Sequence, residues 1–210
     1  MTAVMAALLF GAVMTAPSAN AAPGEHASSA SPIGKSHSQK PVKGGPLDLS
    51  DPNVAAHDAK IRKSGVKVLS ATTSPFVVAD AREKKDKENK NSDAAIAPML
   101  YPSGCGLSVW VYQDGGRIIS SNLTSCPFTF STADMDSWLG FYAWFSYNNQ
   151  VASNVTYSGP ASSFTNDYAY WCANGNNTSY RTETYGEVYL GGTRYSAAAY
   201  DELTNVPCGT

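Results

Sequence analysis

Leu107-Ser-Val-Trp-Val-Tyr112, then Asp114-Gly115-Gly116, then Arg117-Ile-Ile119 reads as two strands joined by a tight turn. An Asp-Gly pair between β-forming runs is a strong short-range hairpin signal, because glycine adopts the left-handed backbone such turns need. Further β-forming runs follow: Pro127–Ser131, Gly140–Tyr147, Asn154–Tyr157, Asp167–Cys172, Thr178–Thr184, Glu187–Leu190 and Arg194–Ala199. Asn148-Asn149, Ser158-Gly159-Pro160, Asn174-Gly175-Asn176-Asn177 and Gly191-Gly192 punctuate them. Short strands at this spacing predict an all-β domain, a small antiparallel sandwich or barrel. Asp134–Trp138 is the one stretch expected to form a helical turn.

Four cysteines lie in this region: Cys105, Cys126, Cys172 and Cys208. In an exported domain of this size they form two bridges, for which three pairings exist. Pairing sequence neighbours, Cys105 with Cys126 and Cys172 with Cys208, ties one end of the domain with each loop. Each closure contributes about 3 kcal/mol in the chain-entropy account. No CxxC spacing and no histidine accompany them, so a zinc site is not expected.

Outward from the domain, the chain changes character near residue 95. All ten lysines and all three histidines precede that point, while all twelve tyrosines, four tryptophans and four cysteines follow it. Residues 22–95 carry ten Lys and two Arg against nine acids, a net of +3; residues 96–210 carry three Arg against eight acids, a net of −5. Before this, Ala3–Thr15 is an uncharged apolar run ending near Pro17, with Ala19-Asn20-Ala21 as a small-x-small cleavage site. Residues 1–21 therefore read as a signal peptide, although nothing basic precedes Lys35. No later run is long enough to cross a membrane. With one aromatic residue (Phe76), the tail 22–95 is expected to be disordered. The folded domain is expected to span 96–210.

Two segments of the tail stand out. Asp51-Pro52 through Gly65 has the cap, proline and terminal glycine of a short helix. Val66–Ala79 is rich in β-formers, and Val66, Val68, Leu69, Phe76, Val77 and Val78 would give a docking arm that adds a strand to a partner's sheet. The mixed charge run Arg82–Lys90 would hold that arm off the domain.

The chemistry expected is limited by what the domain lacks. Residues 96–210 contain no histidine and no lysine, which removes the base from Ser-His-Asp, Cys-His and Ser-Lys mechanisms. Carboxylate pairs remain, and Asp134 with Asp136 beside Trp138 is the pair a glycosidase would use. Capping of a short turn by Ser131-Thr132-Ala-Asp134 accounts for the same residues more simply. No enzyme activity and no cofactor are expected. Nucleic acid is disfavoured by the domain's net −5 charge. Aromatic residues are abundant, densest in Trp138–Tyr147, where strand alternation puts Tyr142 and Trp144 on one face and Phe145 on the other. Trp138, Tyr142 and Trp144 are the candidate contact on the domain, for a protein or for sugar rings.

Cys105-Gly-Leu-Ser-Val, Asn122-Leu-Thr-Ser-Cys126, Trp171-Cys172 and Tyr180-Arg181-Thr182 resemble a four-cysteine β domain of secreted actinobacterial proteins. The layout of leader, tail and small domain is similar to that of the small adaptor (B-type) subunit of streptomycete umbrella toxin particles. That resemblance implies a non-enzymatic, extracellular adaptor whose N-terminal arm, here Val66–Ala79, inserts into a lectin-like partner and joins it to a large toxin subunit. A glycan-binding module, or a secreted protease inhibitor or small toxin, is the alternative expectation.

Overall fold

Across the expected hairpin, Asp114 pairs with Arg117, and Gly115 and Gly116 close the turn at φ 53° and 79°. Only glycine takes two such angles in succession without steric cost. The hairpin joins β5 (Gly106–Asp114) to β6 (Arg117–Phe130) in a computed structural model that describes residues 40–79 and 104–210. Five more strands follow along the chain: β7 (Thr132–Ala143), β8 (Ser146–Ser158), β9 (Ala161–Trp171), β10 (Asn174–Leu190) and β11 (Thr193–Gly209). Several short expected strands merge. Thr178–Thr184 and Glu187–Leu190 are one strand, and Asn174–Asn177 lies within it rather than breaking it.

Residues 40–79 belong to the same compact unit as 104–210. They supply β1 (Val42–Lys43), β2 (Gly45–Pro46), the helix α1 (Pro52–Lys63), β3 (Ala71–Pro75) and β4 (Val77–Val78). The expectation of a disordered tail over 22–95 is therefore corrected for 40–79. The expected docking arm is corrected with it, because its hydrogen bonds are made within the chain. β3 pairs with β2 on one side and with β5 on the other, and Val77 and Val78 pair with Ser196 and Tyr195. Phe76 is fully buried; a Cβ on Gly186 would lie 2.9 Å from its ring, so that glycine makes the room the ring fills. Of the other proposed arm residues, Val66 and Val68 pack partly buried beneath α1, and Leu69 is exposed. The signal peptide 1–21, the tail residues 22–39 and 80–95, which include Arg82–Lys90, and the domain's first residues 96–103 lie outside the described residues.

The helix forms where expected. Asp51 accepts from the amides of Asn53 and Val54, Pro52 opens the first turn, and Gly65 ends it at φ 81°. Lys60, Arg62 and Lys63 sit at the negative end of the helix dipole. Among the described residues no helix is long and apolar enough to cross a membrane.

Two sheets face each other. The front sheet runs β1-β11-β10-β7-β8 with β4 beside β11, and the back sheet runs β2-β3-β5-β6-β9. Every pairing is antiparallel except β1 with β11. Asp134–Trp138, expected as a helical turn, is the middle of β7: its backbone pairs with β8 and β10, and Ala133, Met135, Ser137 and Leu139 alternate inward. Both expected bridges, Cys105–Cys126 and Cys172–Cys208, are formed. They sit in two separate apolar clusters, one around Phe76, Leu107, Phe130 and Met135, the other around Val111, Ile118, Leu139 and Tyr180.

Between those clusters lies a buried polar layer. Asn122 donates to the carbonyl of Asn166 (2.9 Å), accepts from Thr184 Oγ1 (2.7 Å) and lies within reach of Ser120 and Ser137. Ser120 bonds Thr182 across the sheets at 2.6 Å. Each group is buried with its partners, which satisfies it and makes the sheet register specific rather than merely apolar. A third apolar cluster, including Val54, Ile61, Trp110 and Leu123, lies between α1 and the outer face of the back sheet.

Candidate functional site

Among the described residues three hairpins close through two-residue loops. Gly115-Gly116 joins β5 to β6, and Gly191-Gly192 joins β10 to β11 with φ 56° and 83°. The third joins β7 to β8, where Ala143 pairs with Ser146 across Trp144 (φ 52°) and Phe145 (φ 67°). The backbone need is the same in all three, the left-handed conformation at both central positions that a type I′ turn requires. Glycine meets it freely, whereas a side-chain-bearing residue costs roughly 1–2 kcal/mol at each position. The two aromatic rings offset none of that cost within the fold, since Trp144 is 91% exposed and Phe145 94%.

The turn sits on a supporting surface. Tyr142 is exposed and tilts against Tyr147, with ring centroids 5.1 Å apart. The Arg181 guanidinium lies between two rings, 4.3 Å from Tyr147 and 4.4 Å from Tyr200. Its Nε and Nη2 donate to Glu202 Oε1 (2.9 and 2.6 Å), and Nη1 donates to Glu183 at 3.4 Å. Burial opposes the Arg181 charge, yet the two glutamates outweigh it and hold the group above its ordinary pKa. Burial likewise raises the Glu183 carboxyl, with Arg181 opposing. Trp138 is half-buried and occupies the space a Cβ on Gly140 would take, with its ring 2.6 Å from that position; the carbonyl of Tyr147 closes in from the other side.

Of the three aromatic residues expected to form a contact, then, Tyr142 and Trp144 project outward while Trp138 is tied into the sheet. The reading that Trp144 and Phe145 face opposite sides of one strand is corrected: both occupy a turn. Phe145 is the residue that strand alternation missed, and no local signal marks Ala-Trp-Phe-Ser as a turn.

Histidine chemistry needs a separate account, because α1 brings His57 onto the domain. Its Nε2 lies 2.8 Å from Ser121 Oγ, and Ser121 donates to Asp167 Oδ1 at 2.6 Å. The order differs from that of a nucleophilic triad, with the hydroxyl in the middle. Because the serine proton is directed to the carboxylate, Nε2 faces Ser121 as a donor and not as the base that would activate it. Ser121 is buried, and burial lowers the His57 pKa. The group holds α1 to the sheet. Asp134 and Asp136 share the outer face of β7 with Trp138, and the carboxylates across from them are engaged, Glu183 by Arg181 and Glu187 by Arg194 at 3.5 Å.

Comparison with protein-family models, curated proteins and solved structures finds no match to this chain. All four cysteines are bridged, and the two closed disulfides belong to an oxidising, extracellular-type compartment.

Proposed function

We propose that this chain is an exported, non-enzymatic interaction protein of the adaptor kind, and that it meets its partner through the β7–β8 hairpin. One observation carries the reading: a turn that its two sister hairpins build from Gly-Gly is here built from Trp-Phe, with both rings in solvent. Backbone strain and exposed aromatic area are both unfavourable to the free protein, and a partner that buries the rings recovers the loss. The absence of enzyme activity is supported by bridged cysteines, a stretch 104–210 without lysine or histidine, and a His57 oriented as a donor. The arm Val66–Ala79 no longer serves as the contact, since its strands are paired inside the chain. The wider setting, an extracellular toxin-type complex with a lectin-like or large toxin partner, rests on the resemblance of layout.

The test is affinity purification from culture supernatant with the natural chain and with Trp144→Asn plus Phe145→Gly. Asn-Gly suits the turn, so the variant folds. Partner recovery is expected to fall at least tenfold, equivalent to about 1.4 kcal/mol. Undiminished recovery would move the contact elsewhere, and retention on a polysaccharide matrix through the same two residues would assign the hairpin to a glycan.

A further inference from the structure

The exposed edges of the two sheets are not alike. β1 and β2 are two residues long, β2 ends in Pro46, and Lys40, Pro41 and Lys43 stand around them. Short edges carrying proline and lysine resist pairing with another chain. β9 is held against the C-terminal half of β8: Asn154 Nδ2 donates to Asn166 Oδ1 at 2.7 Å, and Asn166 Nδ2 donates back to the carbonyl of Asn154 at 3.1 Å. The remaining edge, Ser146–Ser153 of β8, has no proline and no charge, although its pairing with β7 shifts register between Ala152 and Gln150 and again between Asn149 and Ser146. β8 ends the front sheet, contains no proline, and lies in a stretch from Ser137 to Asn166 without a single charged side chain.

Exposed apolar groups stand at both ends of that bare edge. Trp144 and Phe145 are at one end, and Val155 (44% exposed) and Tyr157 (70%) are at the other. A strand that pairs antiparallel with its own copy places the first end of each molecule against the second end of the other. From this geometry we infer that the occupant of the β8 edge is a second copy of this chain, joined by two-fold antiparallel pairing of Ser146–Ser153. The contact is isologous, as a closed dimer requires. It pairs the free backbone donors and acceptors of that edge outside the two register shifts, opposes no like charges, and seats the Trp144–Phe145 turn of each copy on the Val155–Tyr157 end of the other. The inference rests on the reading of the β7–β8 hairpin as a contact and names its first partner.

Sedimentation equilibrium of the intact chain measures it directly. The natural chain is expected to form a dimer, and Asn148→Lys plus Gln150→Lys, two exposed positions that set lysines against each other across the two-fold axis, is expected to weaken it at least tenfold with the melting temperature of the dilute monomer unchanged. Trp144→Asn plus Phe145→Gly is expected to weaken it similarly while raising the melting temperature, because the left-handed strain is relieved. A natural chain that stays monomeric to about 1 mM, or a dimer indifferent to both double variants, overturns the inference. A monomer whose hairpin variant still loses its partner from supernatant rejects the second copy and leaves the proposed function standing.

Discussion

His57 illustrates how a single side chain changes meaning with its surroundings. Its Nε2 bonds Ser121 and its ring lies 4.9 Å from that of Trp110, whose Nε1 donates to Asp58 at 3.2 Å. Burial lowers its pKa from 6.5; Asp167 and Asp58 oppose the shift and Lys60 adds to it. The folded protein therefore holds fewer protons at this site than the unfolded chain. The stability this gives is fully present above the unfolded pKa of about 6.5 and is lost as pH falls through that value toward the folded pKa. The stability difference between the natural chain and His57→Gln, measured by urea denaturation from pH 8 to 5, is expected to shrink steadily below about pH 6.5. A difference that does not change with pH would show that the imidazole titrates alike in both states. The residue was visible in the sequence, but its neighbours were not: Ser121 and Asp167 lie 64 and 110 positions away.

At the scale of elements, β3 and β4 carry the largest revision. Ala71–Pro75 is a strand with a partner on each side, and Phe76 plugs the apolar cluster over Gly186. Replacing a fully buried phenylalanine by alanine typically costs about 3–5 kcal/mol, so Phe76→Ala is expected to unfold the protein at markedly lower urea concentration. Slow amide exchange at Thr72–Ser74 in the isolated protein is the companion expectation. Fast exchange there, together with an unchanged urea midpoint, would return the segment to the status of a free arm. The β-forming character of Val66–Ala79 was legible, and so was Phe76 as the one aromatic residue of 22–95. Where the strand pairs was not legible, because β pairing is non-local and the charge run at 82–90 pointed toward separation. The helix needed no such help, since its cap, proline and glycine act within a few residues of one another.

For the whole molecule, the two disulfides staple opposite apolar clusters across sequence separations of 21 and 36 residues. Replacing either pair by serine is expected to cost about 3–4 kcal/mol, with the Cys172–Cys208 pair the more expensive by about 0.5 kcal/mol because its loop is longer. Equilibrium denaturation of the two variants checks both the size and the order. A reversed order would mean that the packing around each bridge outweighs loop entropy.

Composition and short-range pattern determined a good deal on their own: the β class, the glycine turns at 115–116 and 191–192, the helix from 52, and the pairing of four cysteines in an oxidising compartment. Each depends on residues that act locally or on a choice among three. Tertiary structure alone decided that 40–79 joins the fold, that a polar layer divides the core, and that Trp144 and Phe145 stand in a turn rather than a strand. The physical reason is the same in each case. A turn built from Trp-Phe is strained locally and is held by the strands on either side; Asn122 is satisfied by Ser137, Asn166 and Thr184 arriving from three other strands as well as by Ser120 on its own; and β3 pairs with β2 more than twenty residues before it and with β5 more than thirty residues after it.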